Sequence, residues 1–294
     1  MTWPFQKGIL EEIPSHGRAV ELEAIPGGDV VSVLGALKNL PGDGRFVIGL
    51  GPGLIRGLNR AVPGLRPFSA MTGPGVTVPA TQADLWCWGR GEDPGHVLHD
   101  TRAFLARVGA AFRPVRAIDL FKYDRGLDLT GYEDGTENPK DDDARSTAIL
   151  SGCGPGLDGS SFVAVQQWRS DLTRFESFSR DRQDHIIGRR RDDNEEIGDA
   201  PQSAHVKRTA QESFDPTAFV VRRSMPWANE SGAGLMFIAF GRSLDPFEAQ
   251  LRRMTGLEDG ITDALFQFTR PLTGSCFWCP PVDKDGLDLS AIGM

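Results

Sequence analysis

Two periodicities of hydrophobic positions alternate along the first half of the chain. The segments with the short apolar runs or period-two alternation of strands are 18–25, 45–50, 83–88 and 115–121. The segments whose apolar residues recur at the spacing of one helix face are 29–40, 54–61 and 96–112. This half is therefore predicted to alternate strands and helices, joined by loops rich in Gly and Pro.

The second half repeats the same plan. Its predicted strands are 161–168, 219–223, 234–240 and 274–279. Its predicted helices are 172–179 together with the residues that follow, 246–254 and 263–268. The repetition predicts a duplicated α+β fold, with about four strands and two main helices in each half.

Composition and charge narrow the range of partners. The 294 residues, 39% apolar and 24% charged, suit a globular protein of one large domain or two ordinary ones. A formal net charge of −8 and the lack of a long basic run argue against nucleic acid and anionic membranes as partners.

Targeting features point to the cytoplasm. No apolar stretch reaches the roughly 18–20 residues of a membrane helix, and the first residues lack the pattern of a secretory signal. Four Cys residues without a disulfide framework agree with a reducing compartment. A cytoplasmic location is therefore expected.

Residues 131–139 are predicted to form a loop, because they have no apolar period and are rich in turn-forming Gly, Asp, Asn and Pro. Glu133, Asp134 and Glu137 place three carboxylates close together. A solvated acidic turn is the ordinary interpretation of such a stretch. However, the Gly residues on either side of Asp134 would let the backbone approach another group. An acid held there in dry surroundings can shuttle protons.

His205 is a second candidate for chemistry. A lone His is usually structural or solvated, but small residues precede His205 and would let a bulky planar group approach. An imidazole with an open opposite face is a common ligand of haem iron.

Arginine residues surround His205 in the sequence. Residues 189–191 are all Arg, and Arg222 and Arg223 follow further on. A run of Arg is ordinarily a solvated face, although guanidinium groups also capture anions such as a propionate or a phosphate. Arg222 follows apolar residues in a predicted strand. A buried Arg there would need a partner, which makes it the stronger active-site candidate.

Cys276 and Cys279 could suggest a redox or zinc site. On a strand, side chains three positions apart point to opposite faces, so the two sulfur atoms would not share a metal or a disulfide. No second ligand pair is evident in the sequence. Neither kind of site is predicted.

Several stretches together resemble the dye-decolorizing peroxidases, in particular the compact bacterial branch of that family. The most specific piece is Asp-Gly-Thr-Glu-Asn-Pro at 134–139. The other matching pieces are Ile-Gly-Arg at 187–189, Ser-Ala-His-Val at 203–206, Val-Arg-Arg-Ser-Met-Pro at 221–226 and Phe-Thr-Arg-Pro-Leu-Thr-Gly at 268–274. They occur in the family's order, and the resemblance extends from about residue 9 to residue 281.

The resemblance implies a fold and a cofactor. The fold would be α+β, with two ferredoxin-like halves at 1–126 and 127–294, each a mostly antiparallel four-stranded sheet with helices. One haem b per chain would lie in the second half. This implied duplication agrees with the repeated pattern of strands and helices.

The resemblance also implies roles for single residues. His205 would be the proximal ligand of the haem iron, and Asp263 would be the carboxylate that orients it. Asp134 and Arg222 would face the open distal side, where Asp134 would move the proton and Arg222 would stabilise developing charge. Arg189 would contact a haem propionate.

Ser224 departs from the family pattern, because some relatives have Asn two positions after the distal Arg. Whether the side chain at this position supplies the hydrogen bond that an amide would make is therefore left open. The division of work between Asp134 and Arg222 is open for the same reason.

The implied activity is that of a haem peroxidase, which reduces hydrogen peroxide and oxidises dyes, phenolics or other small one-electron donors through a ferryl intermediate. The alternatives are a haem-binding protein for haem or iron handling, and a haem-free ferredoxin-like sensor of a small molecule. A homo-oligomer is expected. Packaging in an encapsulating nanocompartment is not favoured, because residues 287–294 form only a short tail.

Bulky dyes cannot reach a buried haem edge, so their oxidation would pass through aromatic side chains at the surface. The candidates are Trp3, Trp86, Trp88, Trp168, Trp227, Trp278, Tyr123 and Tyr132. Most are expected to be core residues, and the sequence does not choose among them.

Overall fold

The computed structural model describes residues 4–40, 42–284 and 286–294. Its strands are β1 His16–Ala24, β2 Phe46–Leu50, β3 Met71–Gly73, β4 Val76–Val78, β5 Leu85–Gly91, β6 Phe112–Phe121, β7 Ser161–Ser170, β8 Val221–Arg222, β9 Met225–Asn229, β10 Gly232–Gly241, β11 Thr269–Pro271 and β12 Ser275–Cys279. Its α-helices are α1 Val30–Leu37, α2 Pro52–Gly57, α3 Pro94–Val108, α4 Asp141–Ala148, α5 Leu172–Glu176, α6 Arg180–Ile187, α7 His205–Arg208 and α8 Asp245–Met254. Short 3-10 helices cover Lys7–Ile9, Gln211–Ser213, Ala264–Gln267 and Ser290–Ile292.

The first half forms a four-stranded antiparallel sheet in the order β6-β1-β5-β2. Helix α1 follows β1, and α3 connects β5 to β6. The chain order of the main elements is therefore βαββαβ, as in a ferredoxin-like unit.

The second half repeats this order. Strand β7 lies between β12 and β10, and both β8 and β9 pair with β10. Helices α5 and α6 follow β7, and α8 follows β10. The predicted α+β fold of two ferredoxin-like halves is thus confirmed.

One sheet runs through both halves, because β2 pairs with β12 at Leu50 and Trp278. The predicted boundary between 126 and 127 falls in the connection after β6. The placement of a domain boundary there stays a prediction.

Two apolar clusters cover the two faces of this sheet. Strand β12 contributes Cys276 and Trp278 to one cluster, and Phe277 and Cys279 to the other. The first cluster also contains the apolar faces of α1, α3 and α8, so these helices cover that side of the sheet. The two Cys side chains point to opposite faces as predicted, both are free, and burial raises the pKa of each thiol.

Some predicted elements differ in extent. The helical segment predicted at 172–179 and in the residues that follow is two helices, because Ser179 begins a new one by accepting a hydrogen bond from the Arg182 amide. The strand predicted at 219–223 shortens to Val221–Arg222, since the Val220 amide donates to a Gln211 side chain instead of a neighbouring strand.

The strands and α-helices that were not predicted are α4, α7, the β3–β4 hairpin, β9 and β11. All are short, and their periodicity is too brief to be recognised. Within the part of the chain that the structure describes, no helix has both the length and the hydrophobicity needed to cross a bilayer.

Candidate active site

The acidic stretch at 131–139 is a loop, as predicted. Gly131 and Gly135 have φ of +85° and +80°, in the region that favours Gly. The Asn194 side chain anchors the loop by donating to Glu133 and Thr136, each at 2.9 Å. The loop is thus held against the rest of the second half.

Asp134 lies beside Arg222, which belongs to the short strand β8. The Arg222 Nη1 atom is 3.9 Å from the Asp134 Oδ1 atom. Their side chains are 18% and 23% exposed, so both are largely withdrawn from solvent. The buried Arg222 Nε has no hydrogen-bond partner among the described residues.

Asn138 connects the acidic loop to the Arg222 backbone. The Arg222 amide donates to Asn138 Oδ1 at 2.9 Å, and Asn138 Nδ2 donates to the Arg222 carbonyl at 3.0 Å. The carboxylate of Asp134 and the guanidinium of Arg222 are thereby carried by two segments that are tied to each other.

His205, the first residue of α7, is hydrogen-bonded to Asp263. The His205 Nδ1 atom is 2.8 Å from Asp263 Oδ2, and the Asp263 side chain is fully buried. The other Asp263 oxygen accepts from the Leu265 amide at 2.8 Å. Among the described residues, His205 Nε2 has no hydrogen bond, so this nitrogen is available to a ligand.

Gly188 brings the segment of Arg189 against the segment of His205. It ends α6 with φ of +93°, and a Cβ atom there would lie 2.3 Å from Val206 Cγ2. Only Gly fits this approach, so the Ile-Gly-Arg and Ser-Ala-His-Val motifs lie in direct contact.

Two cavities meet at these side chains. The inner cavity has an empty volume of about 580 Å³ and the outer cavity one of about 1100 Å³, open solvent at their mouths included. The residues that line both are Asp134, His205, Thr209, Arg222, Leu235 and Leu265. The three side chains predicted from the sequence for the centre of the site are thus together on shared walls.

The inner cavity is mainly apolar. Its further walls include Trp168, Phe237, Phe247, Leu251 and Met254. A broad apolar slot with a few polar groups is the usual form of a cofactor site.

Gln166 and Trp168 also line the inner cavity. Gln166 was not predicted as a site residue, and Trp168 was predicted only as one of several aromatic residues that could carry oxidation to the surface. The buried Gln166 Nε2 has no hydrogen-bond partner among the described residues. Both side chains come from β7, so only the sheet register brings them to the cavity. In the sequence, Gln166 is simply a polar residue of a predicted strand, and no motif marks it as part of a site.

Arg189 lines the outer cavity and already has carboxylate partners. Its Nη2 donates to Glu137 at 2.6 Å and lies 3.6 Å from Glu196. Its Nη1 donates to the Asn194 carbonyl at 3.0 Å. With 12% of its side chain exposed, Arg189 is held as a largely buried cation at the cavity wall.

Asp128 is a further carboxyl group that lines the outer cavity, and it was not predicted from the sequence. Its Oδ1 accepts hydrogen bonds from the amide and the hydroxyl of Thr130. Burial raises the pKa of Asp128 to about 6, and the nearby Asp134 carboxylate adds to the rise. Asp128 is therefore protonated more readily than an ordinary surface carboxyl group.

Ser224 is buried next to the site without lining either cavity. Its hydroxyl accepts from the Ile238 amide at 3.4 Å. In the present structure this side chain supports the β8–β10 region and supplies no polar group to the cavity walls.

The aromatic residues predicted as candidates for surface oxidation differ in exposure. Tyr123 is 42% exposed, whereas the five described Trp residues and Tyr132 are buried. Trp3 lies outside the described residues. Tyr123 is thus the described candidate that a bulky molecule can touch directly.

Within residues 4–40, 42–284 and 286–294, no group of three or more His, Cys, Asp or Glu side chains could hold a metal ion. His205 is therefore a single imidazole beside a large cavity.

Comparison with known proteins identifies the family. The family model described as "Dyp-type peroxidase, C-terminal" matches residues 125–284, more than half of the chain. The dye-decolorizing peroxidase of Mycobacterium tuberculosis is 32% identical over 225 residues, which cover 74% of this chain and 67% of that protein. Curated relatives are matched over 62% to 67% of their own length.

Solved structures agree with this assignment. The dye-decolorizing protein from V. cholerae has a TM-score of 0.85 and 27% identity, covering 93% of this chain and 96% of that one. A Rhodococcus jostii DypB variant in complex with heme has a TM-score of 0.86 and 26% identity, covering 94% and 96%. This chain belongs to the Dyp-type peroxidase family.

Proposed function

We propose that this protein is a haem peroxidase, which reduces hydrogen peroxide and oxidises small one-electron donors such as phenolics and dyes. The observation that carries the proposal is the meeting of Asp134, Arg222 and His205 on the shared walls of two cavities. An acid, a fixed cation and an imidazole with a free nitrogen are the groups that such a reaction needs.

The inner cavity suits one haem b per chain. Its apolar walls would cover a porphyrin. Gln166 Nε2 and Arg222 Nε are buried donors there, and neither has a partner in the part of the chain that the structure describes. Every residue that lines the two cavities belongs to 127–294, so the haem would lie in the second half. The solved Rhodococcus jostii relative in complex with heme supports the same cofactor.

His205 would hold the haem iron through Nε2. When bound, the haem supplies the redox chemistry that cleaves the peroxide bond. Asp263 accepts the hydrogen bond of the other ring nitrogen, which fixes the ring orientation and makes the imidazole more electron-rich. Because Asp263 is fully buried and held by the Leu265 amide, this orientation is rigid.

Asp134 would move the proton. A carboxylate oxygen of Asp134 takes a proton from one oxygen of hydrogen peroxide and returns it to the oxygen that leaves as water, directly or through one water molecule. The loop that carries Asp134 is anchored by Asn194 and Asn138, so the carboxylate does not have to be ordered for each turnover.

Arg222 would stabilise the negative charge that develops on the departing oxygen. Its guanidinium lies beside Asp134 at 3.9 Å and is mostly withdrawn from water. A fixed donor of this kind typically lowers the activation barrier by about 3–4 kcal/mol. Asp134 and Arg222 thus divide the proton transfer and the charge stabilisation between them.

Arg189 would bind a haem propionate. Its guanidinium lies at the wall of the outer cavity and also pairs with Glu137. A propionate would therefore join an existing ion pair, and its own charge would be only partly neutralised by Arg189.

The catalytic pair favours a peroxidase over the other candidate functions. A haem carrier or a haem-free sensor has no use for a largely buried acid beside a guanidinium with an unpaired Nε. A cytoplasmic location, a homo-oligomeric state and the absence of nanocompartment packaging stay predictions.

An absorption spectrum tests the function and the iron ligand together. The purified protein, reconstituted with haem, should show a Soret band that changes when hydrogen peroxide is added. The His205→Ala variant should lose the band or shift it, because the axial imidazole is gone. His99→Ala, on the exposed side of α3, is the matched control and should match the unmodified protein.

A Soret band in His205→Ala identical to that of the unmodified protein would reject His205 as the ligand. No Soret band in the reconstituted unmodified protein would reject the peroxidase and favour a haem-free sensor.

A further inference from the structure

We propose that Asn138 is a positioning residue for the catalytic pair, Asp134 and Arg222. Its carboxamide forms two hydrogen bonds with the Arg222 backbone, in place of a neighbouring strand, and thereby holds Arg222 beside Asp134. The inference rests on the proposed peroxidase function. It assigns a role to a side chain that touches neither the substrate nor the cofactor cavity.

Strand β8 is the exposed edge of the main sheet. It ends the strand order and pairs only with β10, with Val221 opposite Phe240 and Arg222 opposite Ala239. The Arg223 amide donates to the Ile238 carbonyl at 2.8 Å, towards β10. Because backbone groups alternate in direction along a strand, the amide and carbonyl of Arg222 point away from β10.

An edge of this kind leaves one donor and one acceptor without a strand partner. Asn138 supplies both. Its Oδ1 accepts from the Arg222 amide at 2.9 Å, and its Nδ2 donates to the Arg222 carbonyl at 3.0 Å. A carboxamide has the same donor and acceptor as a peptide group, so Asn138 replaces the missing strand at one position.

The neighbours of Asn138 in the sequence prepare it for this contact. Gly135 has φ of +80°, and a Cβ atom there would lie 2.7 Å from Asn138 Nδ2. The Asn138 amide donates to the Gly135 carbonyl at 2.9 Å, which closes a turn. Pro139 restricts Asn138 to extended backbone conformations. The Gly, Asn and Pro of the family motif therefore all serve the placement of one carboxamide.

The contact couples two segments that are far apart in the sequence. Asp134 is in the same loop as Asn138, whereas Arg222 is 84 positions beyond Asn138. Because Arg222 Nε has no hydrogen-bond partner among the described residues, the position of the guanidinium depends on the backbone that carries it. Removing the carboxamide should therefore let the 3.9 Å separation of the catalytic pair vary.

A double-mutant cycle tests the inference. We expect Asn138→Ala to slow the reaction of the haem-loaded protein with hydrogen peroxide by about 10- to 100-fold, because small displacements of catalytic groups have effects of this size. In the Arg222→Leu background the same substitution should slow the reaction by less than about threefold, since the group being positioned is absent. Stopped-flow spectrophotometry measures all four rates.

Fluoride affinity is a second readout that does not depend on turnover. Fluoride is a ligand of ferric haem, and in the haem-loaded protein it would accept a hydrogen bond from Arg222, which lines both cavities. Asn138→Ala should raise the fluoride dissociation constant about tenfold at constant pH, and by less than about threefold in the Arg222→Leu background.

Asn229→Ala is the matched control. The Asn229 side chain accepts hydrogen bonds from the amide and the hydroxyl of Ser231, in the turn between β9 and β10. Asn229 lines neither cavity. This variant should change the peroxide rate by less than about threefold, because the Arg222 contact is intact. If Asn138→Ala does not fold, Asn138→Asp replaces it in the double-mutant cycle. This variant keeps the shape of the side chain and the oxygen that accepts from the Arg222 amide, but it loses the NH₂ group that donates to the Arg222 carbonyl.

The outcomes are distinguishable. If the unmodified protein reacts with peroxide and Asn138→Ala reacts equally fast, Asn138 has no positioning role while the proposed function stands. Equal losses in both backgrounds would also overturn the inference, because they would indicate general damage to the fold. If the unmodified protein does not take up haem or react with peroxide, the proposed function fails and the inference fails with it.

Discussion

His205 and Asp263 are 58 positions apart in the sequence, yet the structure joins them by one hydrogen bond of 2.8 Å. Their buried contact leaves the second imidazole nitrogen without a partner among the described residues. The family resemblance suggested this pairing, but neither residue has a neighbour in the sequence that would predict it. That His205 binds haem iron and Asp263 tunes it stays a prediction.

The protonation of Asp128 should make the stability of the protein depend on pH, because burial raises its pKa from 3.8 to about 6. Between these pH values the folded state binds more protons than the unfolded state, so the free energy of unfolding falls as pH rises. Asp128→Asn should flatten this dependence and stabilise the protein at pH 7.5 by at most about 3 kcal/mol. Urea denaturation at pH 4.5 and 7.5 measures the effect.

Asp124→Asn is the control for this comparison, since Asp124 is exposed and its φ of +49° suits Asn. Its stability should follow the pH dependence of the unmodified protein. If Asp128→Asn also follows that curve at every pH, Asp128 is ionised in the folded state like an ordinary surface carboxylate.

Helices α6 and α7 show how elements are placed by a single backbone position. Gly188 ends α6 in a left-handed conformation and lies against Val206, the residue after His205. The helix end and the ligand segment can approach only because Gly has no Cβ atom. The positions of Arg189 and His205 therefore depend on the same contact.

Gly188→Ala should disturb this contact. The left-handed conformation costs an Ala about 1–2 kcal/mol. The added Cβ atom would also lie only 2.3 Å from Val206 Cγ2, so Val206 would have to move. We expect a lower melting temperature and faster loss of haem to an excess of a haem-scavenging globin. Gly198→Ala is the control, because nothing lies within 4 Å of a Cβ atom there. Equal haem loss from the two variants would contradict the proposed contact between the motifs.

The two halves form one packed molecule. Both apolar clusters contain residues from each half. Trp86 of β5 stacks on Phe277 of β12, with ring centroids 6.0 Å apart and an interplanar angle of 18°. Gly49 allows this packing, because a Cβ atom there would lie 2.6 Å from Phe277 Cβ. The cavities belong to the second half, but the sheet behind them is completed by the first.

Residues 127–294 produced alone should not unfold cooperatively, even though they contain both cavities. Separation exposes apolar side chains of the shared clusters, and the burial of such surface is the main stabilising contribution. Near-ultraviolet circular dichroism and binding of a hydrophobic dye measure the loss of packing. Addition of residues 1–126 should restore a cooperative transition. A sharp transition of 127–294 alone would support two independent domains at the predicted boundary.

Local sequence patterns determined the main elements and the duplicated α+β plan. Strands β1, β7 and β10 and helix α3 were predictable because period-two and helical spacings are local properties of the chain. The same holds for the loop at 131–139, where Gly and Pro restrict the backbone directly. The motif resemblance added the identities of the candidate site residues.

Only the tertiary structure decided how these residues meet. The 3.9 Å approach of Asp134 to Arg222, the Asn138 contact and the positions of Gln166 and Asp128 in the cavities all depend on long-range packing. Strand β8 is short because side chains, and not another strand, satisfy its neighbouring backbone groups. Such contacts join residues distant in the sequence, and periodicity carries no information about them.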